Sequence, residues 1–157
     1  MNVDSTILMT LKEKIHQHYL HVLQDKIAEV QHNLNDLTES LQNETKSTAG
    51  DKHETARAFV HIEQANVSRQ LEELQSKMTT LQSLPIHTSN EIVTKGSLVL
   101  TNKGYLYVSV ALGKALVDGV TIFALSAASP LGSQLMGLRI GGIAMVNGNR
   151  YEVEEIN

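Results

Sequence analysis

At 157 residues with 41% hydrophobic content, the chain is long enough for one compact domain, or for a small domain plus an elongated element, and a wholly disordered protein is excluded. Net charge is −4, aromatics are only 4%, and neither half is basic: residues 1–90 carry eight Lys or Arg against twelve Asp or Glu, and residues 91–157 five against five. That balance excludes an electrostatic nucleic-acid binder and a base-stacking platform, while the absence of cysteine excludes disulfides and thiolate chemistry and fits a reducing cytoplasm.

The opening stretch "MNVDSTILMTLKEK" has no basic leader followed by an apolar run, and no window approaches the roughly 20 apolar residues of a membrane span. A soluble cytoplasmic protein without membrane contact is expected. From Leu20 the apolar residues Leu23, Ile27, Val30, Leu34, Leu37 and Leu41 step alternately by three and four, the seam of a coiled coil. The pattern resumes after Gly50 with Ala56, Val60, Val67, Leu71, Leu74, Met78 and Leu81. In an antiparallel hairpin, facing residues have numbers that add to a constant. Leu41 with Ala56, Leu37 with Val60, Val30 with Val67 and Leu23 with Leu74 all satisfy one such constant, which puts the reversal near Thr48 and Ala49. Only the layer at Leu34 is weak, because it faces Glu63 or Gln64. Arms of about 35–40 residues are about 50–60 Å long at 1.5 Å per residue, so the hairpin is expected to be a rod with a distant tip.

Nine of the ten glycines follow residue 95, and both prolines follow residue 84. The chain changes character near "LPIHTSNE", and the period becomes two. The runs "IVTKGSLVL", "YLYVSVAL", "VTIFALS", "IAMV" and "RYEVEEI" read as strands separated by "TNKG", "VDG" and "NGN", with Asn147-Gly148 a strong hairpin signal. "SPLGSQLMG" reads as a short helix with a Ser-Pro start and a glycine stop. The expected fold is α+β: an antiparallel coiled-coil hairpin over 1–84 with its tip near 47–54, a linker over 85–91, and a small, mostly antiparallel β domain over 92–157.

Asp51 and Glu54 stand three residues apart just after the reversal glycine. The spacing fits a capping box at the start of the second helix. The same two carboxylates also offer oxygen ligands to a hard cation such as Mg²⁺, which completes its shell with water and with ligands from elsewhere. His53, between them in sequence, reads as an exposed turn histidine that could assist the carboxylates or bind phosphate when protonated. His16, His18 and His21 sit together on the first helix. Zinc, however, needs convergent ligands that no cysteine or clear carboxylate partner completes, and a solvated helix surface is expected there. No G-x-S-x-G occurs, no histidine follows His87, and "RIGGIAM" lacks the lysine and the long helix of a phosphate loop. The β domain therefore shows no catalytic set.

Two stretches carry a family resemblance. "LSAASPLGSQLMGLRIGGIAMVNGNRYEVEEI" resembles the C-terminal signature of the Gre-type transcription elongation factors, with a Ser-Pro-Leu turn, a short helix, a glycine turn and a closing Tyr-Glu-Val strand. "GDKHETARA" lines up with that family's tip sequence "GDLSENAEY" and places Asp51 and Glu54 on its two acidic positions. Lys52, His53, Thr55 and Ala58 replace the family's Leu, Ser, Asn and Tyr. The resemblance covers nearly the whole chain.

The resemblance implies a coiled coil followed by an FKBP-like domain, acting as a monomer. It implies that the partner is RNA polymerase, with indirect contact to nascent RNA, and that the hairpin enters the polymerase's secondary channel. Asp51 and Glu54 would then help hold the Mg²⁺ of the polymerase active site, and no cofactor is bound by the factor alone. Partner contact would fall to Lys52 and His53 at the tip and to Ser129, Pro130, Leu131 and Gly132 in the β domain. The factor would be an accessory protein that stimulates the polymerase's own cleavage of backtracked RNA, not an enzyme. Two alternatives stay open: a channel-binding regulator or inhibitor without cleavage, and a coiled-coil adaptor or chaperone. Prolyl isomerase activity does not transfer with the fold, since Tyr105, Tyr107, Phe123 and Tyr151 are few for that aromatic pocket.

Overall fold

The computed structural model describes residues 9–44 and 50–157, with side chains described for 9–43 and 54–157. Helix α1 runs over Leu11–Glu44 and helix α2 over Gly50–Ser83, 34 residues each. Thr10 starts α1: its hydroxyl oxygen accepts a 3.1 Å hydrogen bond from the Glu13 amide, satisfying one of the helix's orphan donors. Helix α2 ends just before Leu84-Pro85, where the proline ring disfavours helical geometry in the preceding residue. The residues compact into two units. One comprises Val22–Met78, and the other joins the chain up to His21 to Thr79–Asn157. The spans expected from sequence, 1–84, 85–91 and 92–157, cross this division, because the beginning of α1 and the end of α2 group with the strands.

Within the Val22–Met78 unit the helices form an antiparallel pair. Val30, Val67 and Leu71 are buried at its centre, with Ile27, Leu34, Leu37 and Leu74 packed against them. These are seam positions, and Val30 and Val67 are a pair that the hairpin numbering brings face to face. The weak layer has its own solution. Gln64 donates a 3.1 Å hydrogen bond to the Thr38 hydroxyl, which donates at 2.9 Å to the Leu34 carbonyl. A polar group that would disrupt an apolar layer is thereby paired across the helices, a device that favours one register over its neighbours.

The other unit holds six strands: β1 (Leu98–Thr101), β2 (Gly104–Ser109), β3 (Gly113–Val117), β4 (Val120–Ser126), β5 (Ile143–Val146) and β6 (Asn149–Ile156). Their order in the sheet is β3-β4-β2-β1-β6-β5. All neighbours are antiparallel except β2 and β4, which run parallel with Tyr107 beside Ala124 and Val108 beside Leu125. The β3–β4 and β5–β6 turns place Asp118 and Gly119, and Asn147 and Gly148, at positive φ. Two successive left-handed residues match the type I′ turn whose twist suits a hairpin.

"IVTKGSLVL" becomes strand only from Leu98. Gly96 turns the chain at φ 94° and sends its amide to the Val108 carbonyl at 2.7 Å. Strand β3 is absent from the sequence reading. It is an edge strand of alternately half-buried and exposed residues, and its largest apolar residue, Leu116, is on the exposed side, so apolar identity does not follow burial.

Both faces of the sheet are used. On one, Val99, Leu106, Val108, Leu125, Ala144 and Val153 pack with Val93 and with Leu135 of the short helix α3 (Pro130–Leu135). On the other lie Leu98, Tyr107 and Ile122, all essentially inaccessible. Tyr107 there meets Tyr19 of α1, ring centroids 6.3 Å apart, and Ile15 is buried one turn earlier on the same helix. Burying a Leu- or Ile-sized side chain stabilises by about 1.5–3 kcal/mol, so these first turns of α1 are part of the core of this unit. Among the described residues no helix is long and apolar enough to cross a membrane.

Candidate functional site

Three places in the structure hold the residues that the sequence singles out. The first is the start of α2. The helix is under way at Gly50, so Asp51 is its second residue, inside the first turn rather than at a cap. Acidic residues in a first turn are favoured by the positive end of the helix dipole. The side chains of Asp51, Lys52 and His53 lie outside the described residues. Glu54, three residues beyond Asp51 and so on the same side of the helix, is exposed to solvent. The capping box that sequence spacing assigns to Asp51 and Glu54 lies outside the described side chains; at the start of α1 Thr10 caps by accepting from the Glu13 amide, while the Glu13 carboxylate pairs with His87. Two residues that sequence reasoning missed stand close by on α2: Phe59 is 69% and Ile62 60% exposed, one turn apart. They lie off the seam, and only their apolar character at non-seam positions signals them.

The second place is the Ser-Pro-Leu turn ahead of α3. Ser129 has an extended backbone and caps α3 by accepting a 3.0 Å bond from the Gly132 amide, while its own hydroxyl donates at 2.6 Å to the Ser126 carbonyl. Pro130 occupies the first helical position, where a missing N–H costs nothing. Gly132 is buried, and a Cβ there would strike the Ser126 carbonyl oxygen. Ser129, Pro130 and Leu131 line a mostly apolar groove of about 400 Å³ together with Phe123 and Val146. The structure thus gathers three of the four residues expected here onto one surface, and gives the fourth, Gly132, a packing role. Of the aromatics weighed for an isomerase pocket, Phe123 alone lines this groove; Tyr107 is buried against α1 and Tyr105 lines a different cavity.

The third place overturns an expectation. His16 is not on a solvated helix surface: it is 5% exposed, and its Nδ1 shares a 2.7 Å hydrogen bond with the Tyr107 hydroxyl. Burial, and the charges of Lys12 and His87, hold its pKa below the usual histidine value. Burial also pushes the phenols up, Tyr19 to about 12 and Tyr107 further. The Tyr19 hydroxyl donates at 2.8 Å to the Gly113 carbonyl. His18 stacks edge-on against Tyr19, and His21 is exposed. Among the described residues no three His, Asp or Glu side chains gather to hold a metal ion.

No family model matches this chain, and no curated protein matches it. Solved structures are similar to it. The crystal structure of GreA factor homolog 1 (Gfh1) of Thermus thermophilus shares 18% identity over 88% of this chain and 94% of that one, with a TM-score of 0.35. A structure of the transcription factor Gfh1 shares 20% identity over 87% and 92%, with a TM-score of 0.37. Both scores are too low for the likeness to carry an argument. What the residues themselves define is an α+β protein in which two long packed helices precede a mixed six-stranded sheet.

Proposed function

We propose that this protein is a Gre-like accessory factor of RNA polymerase, one that stimulates the polymerase's own cleavage of backtracked RNA without being an enzyme itself. The observation that carries this reading is the start of α2. An acidic pair in its first turns, with Glu54 exposed, begins a 34-residue helix, about 50 Å long by helix rise. A helical pair of that length is suited to delivering two carboxylates into a deep cavity of a partner. The sequence likeness of "GDKHETARA" and of the Ser129–Gly132 turn to the family signature supports the same reading.

Carboxylate oxygens suit Mg²⁺, and two of them are too few for a full shell, so the donor set fits an ion shared with the polymerase. Such an ion, when bound, stabilises charge on the entering and leaving oxygens of a phosphodiester. On this chain Asp51 and Glu54 supply oxygen ligands and orient them. Lys52 and His53 lie beside the partner's channel wall, and Ser129, Pro130 and Leu131 offer the groove surface to the channel rim. The factor works as a cytoplasmic monomer.

A second reading rests on Lys52, a cation placed between the two acids in sequence, which weakens their pull on a metal. In it the protein occupies the channel and blocks it without cleavage. One assay separates the two. Purified polymerase is stalled in a backtracked state, and RNA shortening is followed with the protein, with Asp51→Asn and with Glu54→Gln. Cleavage stimulation requires each variant to slow shortening by about tenfold or more. Unchanged shortening with both variants excludes the metal-ligand role. Polymerase binding without any shortening selects the blocking reading, and failure to retain polymerase from lysate at low salt leaves the adaptor alternative.

A further inference from the structure

The cavity beneath the first turn of α1 is not used by the function proposed above. It has a volume of about 340 Å³ and is walled by Thr10, Lys12, His87, Thr88, Ser89 and Asn157 on its polar side, and by Leu11, Ile86, Leu98 and Tyr105 elsewhere. Lys12 is the unusual member. It is only 6% exposed, yet its ammonium makes one hydrogen bond, 3.0 Å to the Thr88 carbonyl. Among the described residues it has no carboxylate partner. Glu13, next to it in sequence, is paired with His87 at 3.4 Å.

A partly buried ammonium bonded to a single carbonyl keeps donors for a ligand in the cavity, and its charge has no carboxylate beside it among the described residues. Lys12 lies close enough to His16 for its charge to hold the imidazole pKa down. Burial lowers the Lys12 pKa, and an anion seated beside it would restore the charged form. We propose that this cavity binds a small organic phosphate, with the phosphate on Lys12 and the hydroxyls of Thr88 and Ser89 and an apolar or planar body against Leu11, Ile86 and Tyr105. Two features choose this class over a bare ion. The volume falls at the lower end of the roughly 300–1,000 Å³ typical of small-molecule sites, and half of the wall is apolar with nothing to offer an isolated oxyanion. Hydroxyls and an ammonium together match the acceptor-only oxygens of a phosphate.

Calorimetric titration of the full chain with adenosine monophosphate and, separately, with inorganic phosphate tests this. Saturable binding of the nucleotide, tighter than that of inorganic phosphate, is expected, and Lys12→Met should weaken both by about tenfold or more. If Lys12→Met does not fold, as judged by circular dichroism, Ser89→Ala on the exposed segment takes its place, with an expected loss of about threefold to tenfold. Absence of saturable nucleotide binding at millimolar concentration, nucleotide binding no tighter than that of phosphate, or full affinity in a folded variant overturns the proposal. None of these readouts involves polymerase, so the outcome is independent of the function proposed for the α2 end.

Discussion

The helical pair and the strand-bearing unit bury their apolar residues in different ways. In the helical pair the core is a single seam, and its central residues Val67 and Leu71 keep 7% and 8% of their surface in water. In the other unit the sheet is covered on both faces, and Leu135, Val108 and Ile122 keep none. A seam one layer deep lets solvent reach whatever gap a truncation leaves, whereas a sheet packed on both sides does not. The same deletion should therefore cost different amounts in the two places. Leu135→Ala is expected to destabilise its unit by about 3–5 kcal/mol and Leu71→Ala the helical pair by about 2–3 kcal/mol. Urea unfolding, followed by circular dichroism for the helices and by tyrosine fluorescence for the sheet, would measure both. Equal losses would mean that the seam is as well packed as the sheet core.

A smaller effect sharpens the contrast in polar pairing. Tyr107→Phe leaves the buried His16 Nδ1 without its partner and should cost about 1–3 kcal/mol. The pH dependence follows from the same pair. Burial holds the folded-state pKa of His16 below the ordinary histidine value of about 6.5, so the unfolded chain binds the proton more readily. Its contribution is complete above about pH 6.5, declines as the pH falls below that value, and levels off beneath the lowered folded pKa. His16→Gln should flatten the decline in a series of thermal melts between pH 7.5 and 5. Persistence of the full decline in that variant would assign it to another group.

The smallest effect concerns the helical pair alone. Gln64→Leu removes the hydrogen bond to Thr38 and fills the layer beside Leu34 with apolar volume. A gain of about 0.5–1 kcal/mol is expected, together with a broader set of helix registers visible in spin-label distance measurements. An unchanged, single distance distribution would show that the apolar layers alone set the register.

How far the sequence revealed these features depended on how strongly each residue obeyed a period. The seam of the helical pair was legible because Ile27, Val30, Leu34, Leu37, Val67, Leu71 and Leu74 all follow the three-four step. So were β4, β5 and β6, bounded by Asp118-Gly119 and Asn147-Gly148. Strand β3 was not, since in this edge strand apolar Leu116 is on the exposed side and Ala115, Leu116 and Val117 run together without alternation. The first turns of α1 were misassigned for a different reason. Ile15, His16 and Tyr19 belong to a helix whose visible seam begins later, and a histidine facing a tyrosine from another part of the chain leaves no trace in local pattern. At the candidate site, the acidic spacing and the Ser129-Pro130 turn were readable, and Gly132 is closed in by Ser126, Ala127 and Ser129 nearby in sequence, but the Lys12 contact depends on Thr88, far along the chain.

The attachment of the first helical turns to the sheet has a consequence for biosynthesis. Lys12 awaits Thr88, 76 residues onward; His16 awaits Tyr107, 91 onward; and Tyr19 awaits Gly113, 94 onward. At about 5–20 residues per second, translation separates these partners by on the order of 5–20 s. The helical pair needs only residues up to Met78 and can assemble in that interval. The earliest segment of the described chain to leave the ribosome is thus among the last to find its place, and Ile15 and Tyr19 remain uncovered until the strands that receive them emerge.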